Sequence, residues 1–165
     1  ERLLNLARTQ AGTSEESVVN ISAMARELIA EYLPMAEAKR IDLGLEEIVP
    51  LSMRAAPEAL RLILRNALEN ALKYTPEGSE VTLRLLSDHD NAVIEVVDNG
   101  PGISASERER VFDPFYRTPG TTGEGSGLGL SIAREAAIRQ GGIVSLHERQ
   151  GGSGLVFRFR PRRGP

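Results

Sequence analysis

The sequence predicts an α/β (α+β) two-layer sandwich, with helices packed on one face of a mixed sheet. Three observations carry that reading. Strand-like and helix-like segments are both plentiful along the 165 residues. The two closing strand candidates, 143–148 and 155–160, are adjacent in sequence. Between residues 57 and 74, Leu60, Ile63, Leu64, Ala67, Leu68, Ala71 and Leu72 follow the i, i+3, i+4, i+7 helix template without a gap. No internal repeat is present.

Taken in order, residues 1–11 place Leu3, Leu4 and Ala7 at helical spacing and stop at Gly12. They read as the last turns of a helix that needs a partner helix to bury its stripe. A polar linker follows. Residues 17–21 form a strand candidate. Ser22 is the expected cap of the next helix, which would bury Met24, Leu28, Ile29, Tyr32 and Leu33. Short strands are expected near 41–45 and 49–53. Pro57 then opens the long helix in the first turn, where proline is tolerated. Strands at 80–86 and 92–97 flank a turn at 87–91. A Gly-, Pro- and Thr-rich loop runs from 98 to about 126, interrupted by a brief helix near 105–112. A last helix, 128–140, ends at Gly141-Gly142. The expected division is a helical stub at 1–12, a linker at 13–16, one domain over 17–161 and a tail at 162–165.

Composition excludes several classes. There is no cysteine, hence no disulfide, thiolate zinc site or cysteine nucleophile. Aromatics are 4% with no Trp, which argues against a stacking platform for single-stranded nucleic acid. The net charge of −3 argues against a general nucleic-acid binder. No apolar run approaches the roughly 20 residues of a membrane span, so no direct membrane contact is expected. The chain begins at Glu1 without a signal peptide and is expected to be a fragment.

Four local patterns point to chemistry. On the long helix, Asn66, Asn70, Lys73 and Tyr74 share the flank beside the apolar stripe. A carboxamide oxygen is a hard, neutral magnesium ligand, and Lys73 offers a point charge to phosphate oxygens. The same spacing also suits an ordinary amphipathic helix with Asn at its polar boundary. Asp98-Asn99-Gly100-Pro101-Gly102-Ile103 ends a strand. Its glycines let backbone approach a ligand, and Asp98 is placed to accept from an amine such as that of adenine. A plain surface turn has the same composition. Residues 123–131, GEGSGLGLS, carry Gly123, Gly125, Gly127 and Gly129 straight into a helix, an arrangement that cradles phosphate. It fits neither the dinucleotide fingerprint nor the P-loop. Between these loops, Phe112, Phe115 and Tyr116 gather three of the seven aromatics beside Arg117. They are either a satellite hydrophobic cluster or a lid that brings Arg117 to a phosphate.

In this order and spacing, NALENALKY (66–74), DNGPGI (98–103), FDPFYR (112–117) and GSGLGL (125–130) resemble the asparagine, first glycine, phenylalanine and second glycine boxes of sensor histidine kinases. The likeness is to their catalytic and ATP-binding domain and spans roughly residues 17–160. The segment ERLLNLAR is similar to the end of the second dimerisation helix of those kinases. The resemblance implies a Bergerat fold: about five strands, about three helices on one face, and a mobile ATP lid at about 100–127. It implies ATP and magnesium as cofactors, with Asn70 as the metal ligand and Asn66 close to the phosphates. Lys73 would contact phosphate oxygens and Tyr74 would border the nucleotide. Asp98 would recognise adenine, with Gly102 giving access. Gly125, Gly127 and Gly129 would wrap the phosphates, and Gly100, Ile103, Phe115, Ser126 and Leu128 complete the binding set. Asn66, Lys73 and Arg117 would assist transfer.

Related ATPases carry a water-activating Glu where this chain has Asn66, and a carboxamide is no general base. The implied activity is therefore protein-histidine kinase: transfer of the γ-phosphoryl group to a histidine on the chain's own dimerisation domain, then to an aspartate of a response regulator. The parent would be a homodimer in the bacterial inner membrane, with this domain in the cytoplasm. Three other readings are a sigma-factor-controlling serine kinase, a superfamily ATPase and a nucleotide-binding regulatory module. Neither histidine of the chain matches the acceptor. His89 lies in a turn, and His147 reads as a plain strand residue. The chain alone is expected to bind nucleotide without labelling itself. Glu69 is expected to face solvent.

Overall fold

The computed structural model describes residues 15–114 and 129–161. The expected stub at 1–12 and the tail at 162–165 lie outside those residues.

Strand β1 (Ser17–Asn20) leads directly into helix α1 (Ile21–Ala38). The helix is capped by Asn20, whose side chain accepts from the Ala23 N–H at 2.9 Å. Ser22, the expected cap, is instead buried inside the first turn and accepts the Leu51 N–H at 3.0 Å. Asn20 and Ser22 are both good capping types, and the contact with Leu51 decides between them. Of the expected apolar face, Met24, Leu28 and Tyr32 are buried and Ile29 is partly so, but Leu33 is exposed. Ile21, Ala25 and Ala36 complete the buried stripe.

Next come β2 (Asp42–Glu47), β3 (Ser52–Ala55) and the long helix α2 (Pro57–Tyr74). Every apolar position assigned to α2 from its periodicity is buried. Strands β4 (Glu80–Asp88) and β5 (Asn91–Asp98) form a hairpin. Its two loop residues, His89 and Asp90, both take positive φ (50° and 67°), the left-handed pair that a tight two-residue turn needs. The brief helix expected near 105–112 is only a 3₁₀ turn at Arg110–Phe112. Helix α3 (Gly129–Arg139) precedes β6 (Ile143–Glu148) and β7 (Leu155–Arg160). Helix α3 ends in a Schellman motif: Gly142 N–H donates to Ala137 O, Gly141 N–H donates to Ile138 O, and Gly141 supplies φ 77°.

Strands β1 and β3 pair antiparallel as a small separate sheet, which the sequence reading did not separate. The main sheet has the order β2-β4-β5-β7-β6, with β2 parallel to β4 and all other pairs antiparallel. Its inner face presents Leu43, Leu83, Ile94, Val96, Phe157 and Leu146 to the three helices as one continuous core. This is the expected two-layer arrangement.

The outer face is organised by charge. Arg84 Nε donates to Glu46 at 3.1 Å, Arg84 Nη1 to Glu95 at 3.4 Å, and Arg158 Nε to Glu95 at 2.6 Å. The four residues stand opposite one another across β2, β4, β5 and β7. Glu95 is only 3% exposed, so two guanidinium groups answer a nearly dry carboxylate.

Candidate functional site

The candidate site residues that the structure describes lie mainly at the C-terminal end of α2 and the C-terminal end of β5. Asn66 turns inward at 5% exposure, and its Nδ2 donates to Leu62 O at 2.8 Å. Asn70 and Tyr74 are half-buried, and Lys73 is exposed. The asparagine flank therefore grades from core to solvent along one side of the helix. Glu69 does not simply face solvent as expected. Tyr32 Oη donates to its Oε1 at 2.8 Å across the α1–α2 interface. Burial and this hydrogen bond to Glu69 hold the Tyr32 phenol well above its usual range.

Asp98 ends β5 on the inner face of the sheet, opposite Val81 and Leu155. It is 8% exposed. The Gly100 N–H donates to its Oδ1 at 2.9 Å, and the Leu155 backbone N–H also donates to the carboxylate. Burial nonetheless pushes its pKa above the ordinary carboxylate value, with the two amides opposing that shift. A buried carboxylate at a strand end has strong incentive to accept a ligand's N–H.

Glycines bring these two ends together. A Cβ on Gly100 would stand 3.4 Å from Pro76 Cδ and 3.5 Å from Thr75 Cγ2, so the first glycine box abuts the residues that follow α2. Gly102 takes φ 75°, and a Cβ there would lie 2.8 Å from Gly154 O. Gly154, in the β6–β7 hairpin, in turn packs against the Asp98 main chain. The sequence reading did not single out Gly154, because GGSG between two strands carries the same signal as any turn. Ile103 is partly buried against the core, and its carbonyl accepts from Arg108 Nε at 3.1 Å.

Phe112 is buried, with the Arg134 guanidinium of α3 4.8 Å above its ring. Gly129 is the first residue of α3. Phe115, Arg117, Gly125, Ser126, Gly127 and Leu128 lie outside the described residues, as does the second part of the expected lid, 115–127. His89 pairs with Asp88 in an exposed turn, and His147 contacts Ser145 Oγ at 2.7 Å within β6, a plain strand position as expected. Among the described residues there is no group of three or more His, Cys, Asp or Glu able to hold a metal. The donor set still suits magnesium delivered with a nucleotide. That ion usually keeps several waters and takes few protein oxygens beside phosphate, and the half-buried carboxamide of Asn70 has one oxygen to offer it.

Residues 55–165 match the family described as histidine kinase-, DNA gyrase B-, and HSP90-like ATPase. The swarming motility regulation sensor protein RssA of Serratia marcescens is 38% identical over 160 residues, covering 94% of this chain and 34% of that protein. The sensor protein kinase PmrB of Pseudomonas aeruginosa is 35% identical over 169 residues, covering 100% of this chain and 35% of that protein. Full-length ShkA, solved in complex with AMPPNP, superposes with a TM-score of 0.82 at 29% identity, covering 99% of this chain and 35% of ShkA. The chain belongs to the histidine kinase-, gyrase B- and HSP90-like ATPase family, with the Bergerat fold of histidine kinase catalytic domains. Its relatives are sensor histidine kinases, and it corresponds to their ATP-binding kinase domain. It spans about a third of the length of the curated relatives it matches.

Proposed function

We propose that this domain holds ATP with magnesium and passes the γ-phosphoryl group to a histidine on a dimerisation domain of the same kinase. The phosphoryl group then moves to an aspartate of a response regulator. The observation that carries the reading is the buried Asp98 at the mouth of the inner face, abutting Gly100 and the end of α2. Asp98 accepts the exocyclic amine of adenine, and the tight packing of Gly100 and Gly102 keeps the base against it. Asn70 ligates the metal, while Lys73 and the amides at the start of α3 meet phosphate oxygens. Magnesium, when bound, neutralises phosphate charge. Arg117 adds a further cation from the lid. The acceptor imidazole is itself the nucleophile, so positioning and electrostatics supply most of the rate. A carboxamide at position 66 cannot itself activate water, so ATP waits for its acceptor.

The parent kinase works as a homodimer at the bacterial inner membrane, with this domain on the cytoplasmic side. Among the described residues no helix is long and apolar enough to cross a membrane. The test is magnesium-dependent binding of ATP by the 165-residue chain. Asn70→Ala should lose that binding, about 100-fold, while the melting temperature stays within 1–2 °C, roughly. Unchanged binding by Asn70→Ala would remove Asn70 from the site.

A further inference from the structure

Resting on that nucleotide reading, we propose that Lys39 is a positioning residue for the ATP-binding end of α2. Its ammonium donates to Leu72 O at 2.8 Å and to Lys73 O at 2.7 Å. The last four carbonyls of a helix have no intrahelical donor. In α2 these belong to Ala71, Leu72, Lys73 and Tyr74. The Thr75 N–H closes the first, and Lys39 closes the next two. The turn it holds carries Lys73 and Tyr74 and directly follows Asn70.

Lys39 is itself anchored. It is the C-cap of α1, inside a Schellman motif in which Arg40 N–H donates to Glu37 O and Ile41 N–H donates to Ala36 O. Arg40 takes φ 56°, a conformation usually left to glycine, and so fixes where the lysine stem starts. One turn back along α2, the Tyr32–Glu69 hydrogen bond ties the same stretch to α1 a second time. The charge matters as well. A helix C-terminus carries partial negative charge, which opposes a polyanion nearby, and an ammonium on its carbonyls offsets it. Burial lowers the Lys39 pKa from its ordinary value, so the charge is kept there at a desolvation cost.

The other polar links between the two helices differ in kind. Arg61–Glu27 at 3.2 Å and Arg65–Glu31 at 2.7 Å are ion pairs between partly exposed side chains, further from the C-terminus of α2. They provide the comparison.

The test measures Mg-ATP affinity of the 165-residue chain at 10 °C, by displacement of a fluorescent ATP analogue, with thermal melting in parallel. Lys39→Met should weaken Mg-ATP about tenfold through misplacement of the last turn. Lys39→Arg, which keeps charge and several donors, should restore affinity to within about threefold. Arg61→Met should lower the melting temperature with no change in affinity. Parent-like affinity in Lys39→Met, or an equal affinity loss in Arg61→Met, overturns the proposal. Should Lys39→Met fail to fold, Lys39→Gln reads the same point: an intermediate loss supports the role and no loss overturns it. A parent chain that binds no Mg-ATP would instead defeat the nucleotide reading itself, and the role of Lys39 with it.

Discussion

Gly154 lies so close to the main chain of Asp98 that a methyl group on it would overlap the Asp98 carbonyl oxygen. The same methyl would stand 2.7 Å from Arg149 Cδ, and Gly154 takes φ 142°, which L side chains rarely adopt. The β6–β7 hairpin is thereby the backing against which the end of β5 rests. Gly154→Ala should destabilise the domain by about 2 kcal/mol or more, through strain at a special φ and displaced backbone. It should also weaken ATP by more than about tenfold, because Asp98 moves with its carbonyl. Urea denaturation and nucleotide titration check the two effects, and a variant with parental values for both would show that the hairpin yields freely.

Asp98 is predicted to trade stability for recognition. Its folded-state pKa is raised above the ordinary 3.8, so the fold favours the protonated form. The stabilisation of that form is complete below the unfolded value and is lost as pH rises through the folded one. At neutral pH the carboxylate is therefore a burden on the fold. Asp98→Asn should melt at or above the parent temperature at pH 7, with the difference closing toward pH 4. Its Oδ1 still accepts from Gly100, but the amide is a poor match for the adenine amine, and ATP binding should fall by about 100-fold. Melting several degrees below the parent at pH 7 would contradict the electrostatic assignment.

The outer ladder should matter for the fold and not for the nucleotide. Glu95→Ala leaves Arg84 and Arg158 facing each other without their shared carboxylate. A loss of about 3 kcal/mol is expected, tempered by the partial exposure of both arginines. Mg-ATP affinity should stay within twofold, roughly, because the ladder lies on the face away from the helices. An affinity loss comparable to that of Asp98→Asn would mean the two faces of β5 are coupled.

Regular elements with a repeating pattern were legible from residues alone. The stripe of α2 and the strands 143–148 and 155–160 are where their spacing predicts. What resisted reading depends on partners distant in sequence. Asn20 rather than Ser22 caps α1 because Leu51 claims the serine. Glu69 is held by Tyr32 from another helix, 37 residues away. Leu33 stands at the edge of the buried face of α1, beside the buried Tyr32 and Ala36, and periodicity fixes that edge only within about one residue. The helix expected at 105–112 shrank to one 3₁₀ turn because only Val111 and Phe112 there are buried. In the site, Asp98 and the end of α2 were assigned from motifs. The steric role of Gly154 follows only once two hairpins are seen in contact.

The activity proposed for the domain is phosphoryl transfer to a histidine outside these 165 residues. Incubating the chain with magnesium and γ-labelled ATP, together with a separately prepared dimerisation domain of the parent kinase, tests it directly. The expected result is acid-labile label on the acceptor histidine of the added domain, none on this chain, and no transfer by Asn70→Ala. Rapid release of inorganic phosphate without any acceptor would contradict it and point to an ATPase instead.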